Sequence, residues 1–163
     1  MPAAAISADE VRSIVAAVLD PEVPVLTIDD LGILRDVTVD ASGHVEVTIT
    51  PTYSGCPAME AITADVTQAL GDKGFRDVRV RLVLAPAWTT DWMSDAGKQK
   101  LLDYGIAPPQ PRDDTTVRLT LSLRCPQCGS PDTRELSRFG STACKALWVC
   151  NACREPFDHF KAI

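Results

Sequence analysis

Six cysteines in 163 residues carry most of the chemistry legible in this chain. Cys125-Pro-Gln-Cys128 and Cys150-Asn-Ala-Cys153 form two C-x2-C hooks 21 residues apart, close to the spacing of four-cysteine zinc sites. A two-residue gap lets both thiolates of a hook curl around one ion. Two hooks then complete a tetrahedron with no open position, which makes the expected site structural. Disulfides are the competing reading. The N-terminus lacks the basic start and apolar run of a secretory signal, so the expected compartment is the reducing cytoplasm, where paired thiols stay reduced. Zinc is the favoured ion, with iron in the same four-thiolate cage left open because spacing does not choose between them. Cys144, six residues before Cys150, is expected to be a packed bystander.

Cys56 stands apart from these five. It directly precedes Pro57 at the expected start of a helix, where unpaired amides and the helix dipole favour a thiolate. It reads equally well as a packed small hydrophobe. A hydrolytic dyad would need a base, and the only imidazoles, His44 and His159, are not tied to Cys56 by sequence. The chain also lacks a phosphate loop, a nucleotide fingerprint and a plausible triad. An independent catalyst is therefore the weakest expectation. Asp20 and Glu22, in the proline-stiffened stretch Leu19-Asp-Pro-Glu-Val-Pro-Val25, are hard oxygen donors able to hold iron transiently near a thiolate. From the residues alone, helix termination and solvation explain them better.

The elements that must position these groups follow from patterning. Ser7-x-x-Glu10 is a capping box with Ile6 and Val11 as its hydrophobic staple. Val11, Ile14, Val15, Val18 and Leu19 then repeat at helical spacing up to Pro21. Residues 34–40 and 45–50 alternate around a turn and predict an antiparallel hairpin, with Val37, Val39, Val45, Val47 and Ile49 inward. Met59, Ile62, Val66, Ala69 and Leu70 line one face of a second helix behind Pro57. Val78, Val80, Leu82 and Leu84 predict a third strand. Trp88 and Trp92 begin a shorter helical stretch to Gly105, as aromatics capping a core or docking a neighbour.

The fold class is thus α+β: a small α-β-β-α-β domain over residues 1–106, a proline-rich linker over 107–114 and an all-β metal ribbon over 115–163. In the ribbon, Val117, Leu119, Leu121 and Leu123 alternate into the first hook, and Leu147-Trp-Val149 runs into the second. Charge supports the division. The 22 acids and 16 bases leave −6 overall, but residues 1–112 carry −7 and residues 113–163 carry +1. Four thiolates and a divalent ion would bring the ribbon to about −1 beside an acidic partner domain, which argues against nucleic acid. No apolar run approaches the roughly 20 residues of a membrane helix.

Asp20-Pro-Glu-Val-Pro24, Asp30-Leu-Gly-Ile33 and Thr52-Tyr-Ser-Gly-Cys-Pro57, in this order, resemble the MIP18 (DUF59) family of iron–sulfur assembly factors over roughly residues 7 to 106. Trp88-Thr-Thr-Asp-Trp-Met-Ser94, Tyr104-Gly-Ile-Ala-Pro-Pro109, Phe139-Gly-Ser-Thr-Ala-Cys-Lys-Ala-Leu147 and Glu155-Pro-Phe157 extend the likeness. Nearly the whole chain is similar to the family of small accessory subunits of the multicomponent phenylacetyl-CoA epoxidase. The resemblance implies a non-catalytic maturation role toward the oxygenase subunits or the iron–sulfur reductase of that system. Cys56 would be the transfer ligand, Asp20 and Glu22 the acidic loop motif, and Thr52 and Gly55 the residues shaping the turn. One cysteine cannot complete a four-thiolate cluster. A transient iron or cluster would therefore be shared with a client, a small thiol or a second copy, which makes a homo-oligomer one expectation. A docking subunit with no metal transfer is the alternative.

Overall fold

The computed structural model describes residues 7–111 and 123–163. The chain divides into two compact units, one ending at Trp88 and one running from Thr89 to Ile163.

The first unit opens with α1 (Ala8–Ala16). Its capping box is formed: Ser7 Oγ accepts from Glu10 N at 3.2 Å, and Glu10 Oε2 accepts from Ser7 N at 3.0 Å. Ile6, the expected staple, lies outside the described residues. The helix stops short of Leu19 because the chain turns into a backbone-bonded loop, with Ile28 N on Val18 O and Asp20 N on Leu26 O. Leu19, expected on the buried face, is consequently exposed.

Strands β1 (Leu34–Val39) and β2 (Val45–Ile49) form the expected antiparallel hairpin. After α2 (Ala58–Asp72), β3 (Val78–Leu82) returns parallel to β2. The sheet order is β1-β2-β3. Val45, Val47 and Ile49 on the central strand and Val11, Val15, Ile62, Val66 and Leu70 on the helices are all fully buried. Val39 is only half-buried. Leu82 and Leu84, part of the alternation that predicts the third strand, are 47% and 65% exposed, and the strand itself ends at Leu82. β3 is an edge strand, and Leu82 lines an open groove together with residues of α2.

In the second unit, Thr90–Trp92 form a single 3-10 turn and α3 spans Asp95–Asp103. The expected continuous tryptophan helix is thus broken at Met93, whose backbone is extended. Gly105, at φ +89°, turns the chain into β4 (Ile106–Ala107). β4 pairs with β7 (Pro156–Phe160), which pairs with β6 (Lys145–Cys150), which pairs with β5 (Thr133–Ser137). Ile106 and Ala107 pair with β7 and Thr90 N donates to Ile163 O, within a compact unit that starts at Thr89, whereas the sequence pattern put a linker at 107–114. The strand expected over 117–123 lies outside the described residues except for Leu123, which is buried.

Candidate metal centre and the Cys56 loop

Each C-x2-C hook is a tight turn built the same way. Cys125 N donates to Ser130 O and Gly129 N to Cys125 O; Cys150 N donates to Glu155 O and Arg154 N to Cys150 O. Both turns need a left-handed residue four positions after the first cysteine. Gly129 takes φ +74° there, and Arg154 takes φ +68°, an uncommon conformation for a residue with a side chain. Asp132, just after the first hook, accepts from Asn151 of the second through both backbone and side chain, at 2.9 and 2.8 Å.

These turns bring Cys125, Cys128, Cys150 and Cys153 together with all four sulfurs within 4.8 Å of one another. Cys125 Sγ lies 3.7 Å from Cys153 Sγ, and Cys128 Sγ lies 3.6 Å from Cys150 Sγ. A tetrahedral ion with bonds near 2.3 Å requires sulfurs about 3.8 Å apart, so the donor set fits zinc. The four thiols do not respond alike: Cys150 is lowered, whereas Cys128 and Cys153 are raised. The Cys153 amide holds the Cys150 thiol down at about 7. At Cys153 the Glu155 amide lowers the thiol, but burial and the neighbouring sulfurs outweigh it and push it up to about 12. Cys144 is buried, with Thr142 Oγ1 3.0 Å from its sulfur, and is not one of the quartet.

Cys56 occupies a different setting. It is 7% exposed and closes a turn in which Cys56 N donates to Tyr53 O at 3.3 Å. Gly55 sits at φ +81° with open space where a Cβ would be, so it is required for its conformation and not for room. Thr52 is half-buried on the same loop. α2 starts two residues after Cys56 and has no side-chain cap at Pro57. At the end of β2, Thr50 is buried and its hydroxyl has no hydrogen-bond partner.

The acidic loop is braced by its own backbone. Asp20 is buried, and its Oδ1 accepts from Glu22 N at 2.8 Å and Val23 N at 2.7 Å, bracing its own loop. Among the described residues, the four-cysteine group is the only set of three or more His, Cys, Asp or Glu donors close enough to share an ion. Cys56, Asp20 and Glu22 do not form one. Asp30 has a part the sequence pattern could have revealed. Its carboxylate accepts from Thr27 N at 3.1 Å while Thr27 Oγ1 accepts from Asp30 N at 3.0 Å, the reciprocal cap signalled by Thr27-x-x-Asp30.

His159, on β7, is buried against Trp148 in an edge-to-face contact with ring centroids 6.1 Å apart. Burial, reinforced by the Lys161 charge, pushes its imidazole down to about 4. The folded chain therefore holds His159 neutral where an unfolded chain binds a proton. Its contribution is complete above pH 6.5 and is lost as pH falls toward 4, by an upper bound of about 3 kcal/mol. Urea titrations of the metal-loaded protein across this window are expected to show a steeper loss of ribbon stability than in a His159→Phe variant. Equal slopes would show that the imidazole is not responsible.

Two family models match the chain. One, described as the PaaD zinc beta ribbon domain, covers residues 109–161; the other, described as an iron–sulfur cluster assembly protein, covers residues 8–82. A protein of Escherichia coli strain K12 named as a subunit of 1,2-phenylacetyl-CoA epoxidase is 49% identical over 94% of this chain and 92% of its own length. An Fe-S protein maturation auxiliary factor of Porphyromonas gingivalis is 36% identical over 60% of this chain and 90% of its own. Among solved structures, a DUF59 domain from Bacillus anthracis aligns with a TM-score of 0.54 and 31% identity over 58% of this chain and 90% of that one. The α+β architecture agrees with this neighbour.

Proposed function

Because the chain belongs to the PaaD family of 1,2-phenylacetyl-CoA epoxidase subunits, with an iron–sulfur cluster assembly part ahead of its zinc beta ribbon, we propose that it is a non-catalytic accessory protein. It helps assemble or repair an iron–sulfur or di-iron centre of that oxygenase system, in cytoplasmic phenylacetate catabolism. The observation that carries this reading is Cys56, at the head of α2 within the part matched as a cluster assembly protein. In this reading Cys56 is the transfer ligand, and iron or a cluster is the cargo. A single thiolate leaves the remaining positions to the client, a small thiol or a second copy, which suits delivery better than storage. Asp20 and Glu22 act from their own braced loop, with Thr52 and Gly55 holding the turn that carries the thiol. Cys125, Cys128, Cys150 and Cys153 hold a structural zinc that keeps the ribbon rigid.

The test is a Cys56→Ala variant expressed with the oxygenase components and their iron–sulfur reductase. The expected outcome is a loss of at least about tenfold in client iron or sulfide occupancy and in epoxidase turnover, with the zinc content of the variant unchanged. A second reading draws on the burial of Cys56, 7% exposed: a zinc-stabilised docking subunit in which this thiol only packs. Full client occupancy and turnover with Cys56→Ala would establish that reading and remove the first.

A further inference from the structure

The outer flank of α2 and the edge of β3 remain unexplained by either reading. Met59, Glu60, Thr63, Ala64, Thr67 and Leu82 line an open, largely apolar groove of about 710 Å³. Met59 opens it one turn after Cys56, its amide donating to Cys56 O at 3.2 Å. Leu82, the last residue of β3, closes the groove on the sheet side, and among the described residues no strand pairs with the outer side of β3. Leu82 and, beyond the strand end, Leu84 lie exposed along the same edge. A groove beside an unpaired strand is the setting in which an extended segment adds to a sheet, its backbone paired and alternate side chains seated.

Charge identifies the segment. Arg79 and Arg81 alternate with Val80 and Leu82, so they project from the sheet face opposite the groove. Arg81 is paired with Glu46 at 3.2 Å. Arg79 has no ion-pair partner among the described residues, nor does the exposed Arg76 just before the strand. An antiparallel second copy centred on Val80 would set Arg79 opposite Arg81 of that copy, a destabilising like-charge pair. An incoming strand with acidic side chains opposite the arginines and apolar ones over the groove satisfies both faces, and Glu60 in the groove disfavours acids on that side.

We infer that the β3 edge and the α2 groove together form a docking site for an extended segment of a partner protein that alternates acidic and apolar residues. Resting on the maturation reading, this site seats the client beside Cys56.

The test uses the full, metal-loaded chain and two synthetic peptides of about eight residues, one alternating glutamate with valine or leucine and one with lysine in place of glutamate. Calorimetry and amide exchange are read together. The glutamate peptide is expected to bind about tenfold tighter than the lysine peptide and to slow exchange in β3, and Arg79→Glu is expected to invert that preference. Equal binding of both peptides, or binding without β3 protection, overturns the site. So does concentration-dependent β3 protection with dimerisation in the absence of peptide, which would assign the edge to a second copy. Peptide binding that survives while client loading proves independent of Cys56 removes the maturation reading and keeps the dock.

Discussion

Replacing Cys150 by serine will release the metal and unfold the unit containing residues 89–163, while α1 and α2 of the first unit persist. Binding free energy at a structural zinc site is folding free energy, on the order of 10 kcal/mol in small domains. Here little else could substitute for it. The ribbon core consists of Ala107, Leu123, Ala146, Trp148 and Phe157 together with Cys125 and Cys150 themselves, so two of its seven buried members are proposed ligands. Without the ion, both hooks become turns around buried thiols with no binding energy to hold them. Metal content per chain, near-ultraviolet dichroism from Trp148 and amide exchange along β5–β7 should all change together for Cys150→Ser and Cys125→Ser. Chelation of the wild type should reproduce the effect. Cys144→Ser should keep the ion, since that thiol lies outside the quartet. A Cys150→Ser protein that stayed folded and stoichiometrically loaded would refute the ligand assignment.

The second large effect is expected at Trp88. Its ring is 4% exposed, and its indole Nε1 donates to Leu31 O at 2.8 Å, pinning the chain end of the first unit onto the loop before β1. Trp88→Ala should destabilise that unit by about 3–5 kcal/mol through the lost packing and the cavity left behind. Part of the loss is the Leu31 carbonyl, left without this donor in a buried setting. Trp88→Phe, which keeps most of the ring but not the N–H, should cost only about 1–3 kcal/mol. Denaturant midpoints of the first unit, followed at α1 and α2, measure both. Similar losses in the two variants would mean that the hydrogen bond, and not the ring volume, is what matters.

Where local chemistry dictates local structure, the sequence is transparent. Ser7 and Glu10 announce a capping box that forms, and the hairpin alternation reappears nearly residue for residue in β1 and β2. The two hooks sit close to the spacing of a four-cysteine metal site, and the fold brings their sulfurs together. What periodicity does not supply is position within a sheet. Val78 to Leu84 alternates like any half-buried strand, and nothing in that alternation says that β3 is an edge. Helix extent is hidden for a related reason. Val18 and Leu19 continue the helical spacing, yet the bonds that Val18 and Asp20 make with Ile28 and Leu26 are non-local and leave no periodic trace. The Cys56 site is the least legible. Asp20 and Glu22 are near it in motif order, but the Asp20 carboxylate is engaged by its own loop's amides, a use of the side chain that motif order does not encode.

The pairing of β4 with β7 sets the two halves on different clocks during synthesis. Every strand of the first sheet has left the ribosome soon after Leu82 has been added, so that half can collapse while the rest is still being made. The second half cannot. Ile106 must wait for Asp158, and Ala107 for His159, a long loop closure whose entropy must be met before any contact rewards it. The second hook arrives only a few residues earlier. Metal capture and sheet closure in the ribbon are therefore the last events in the chain's maturation, and the thiols of the first hook spend that interval waiting for their partners.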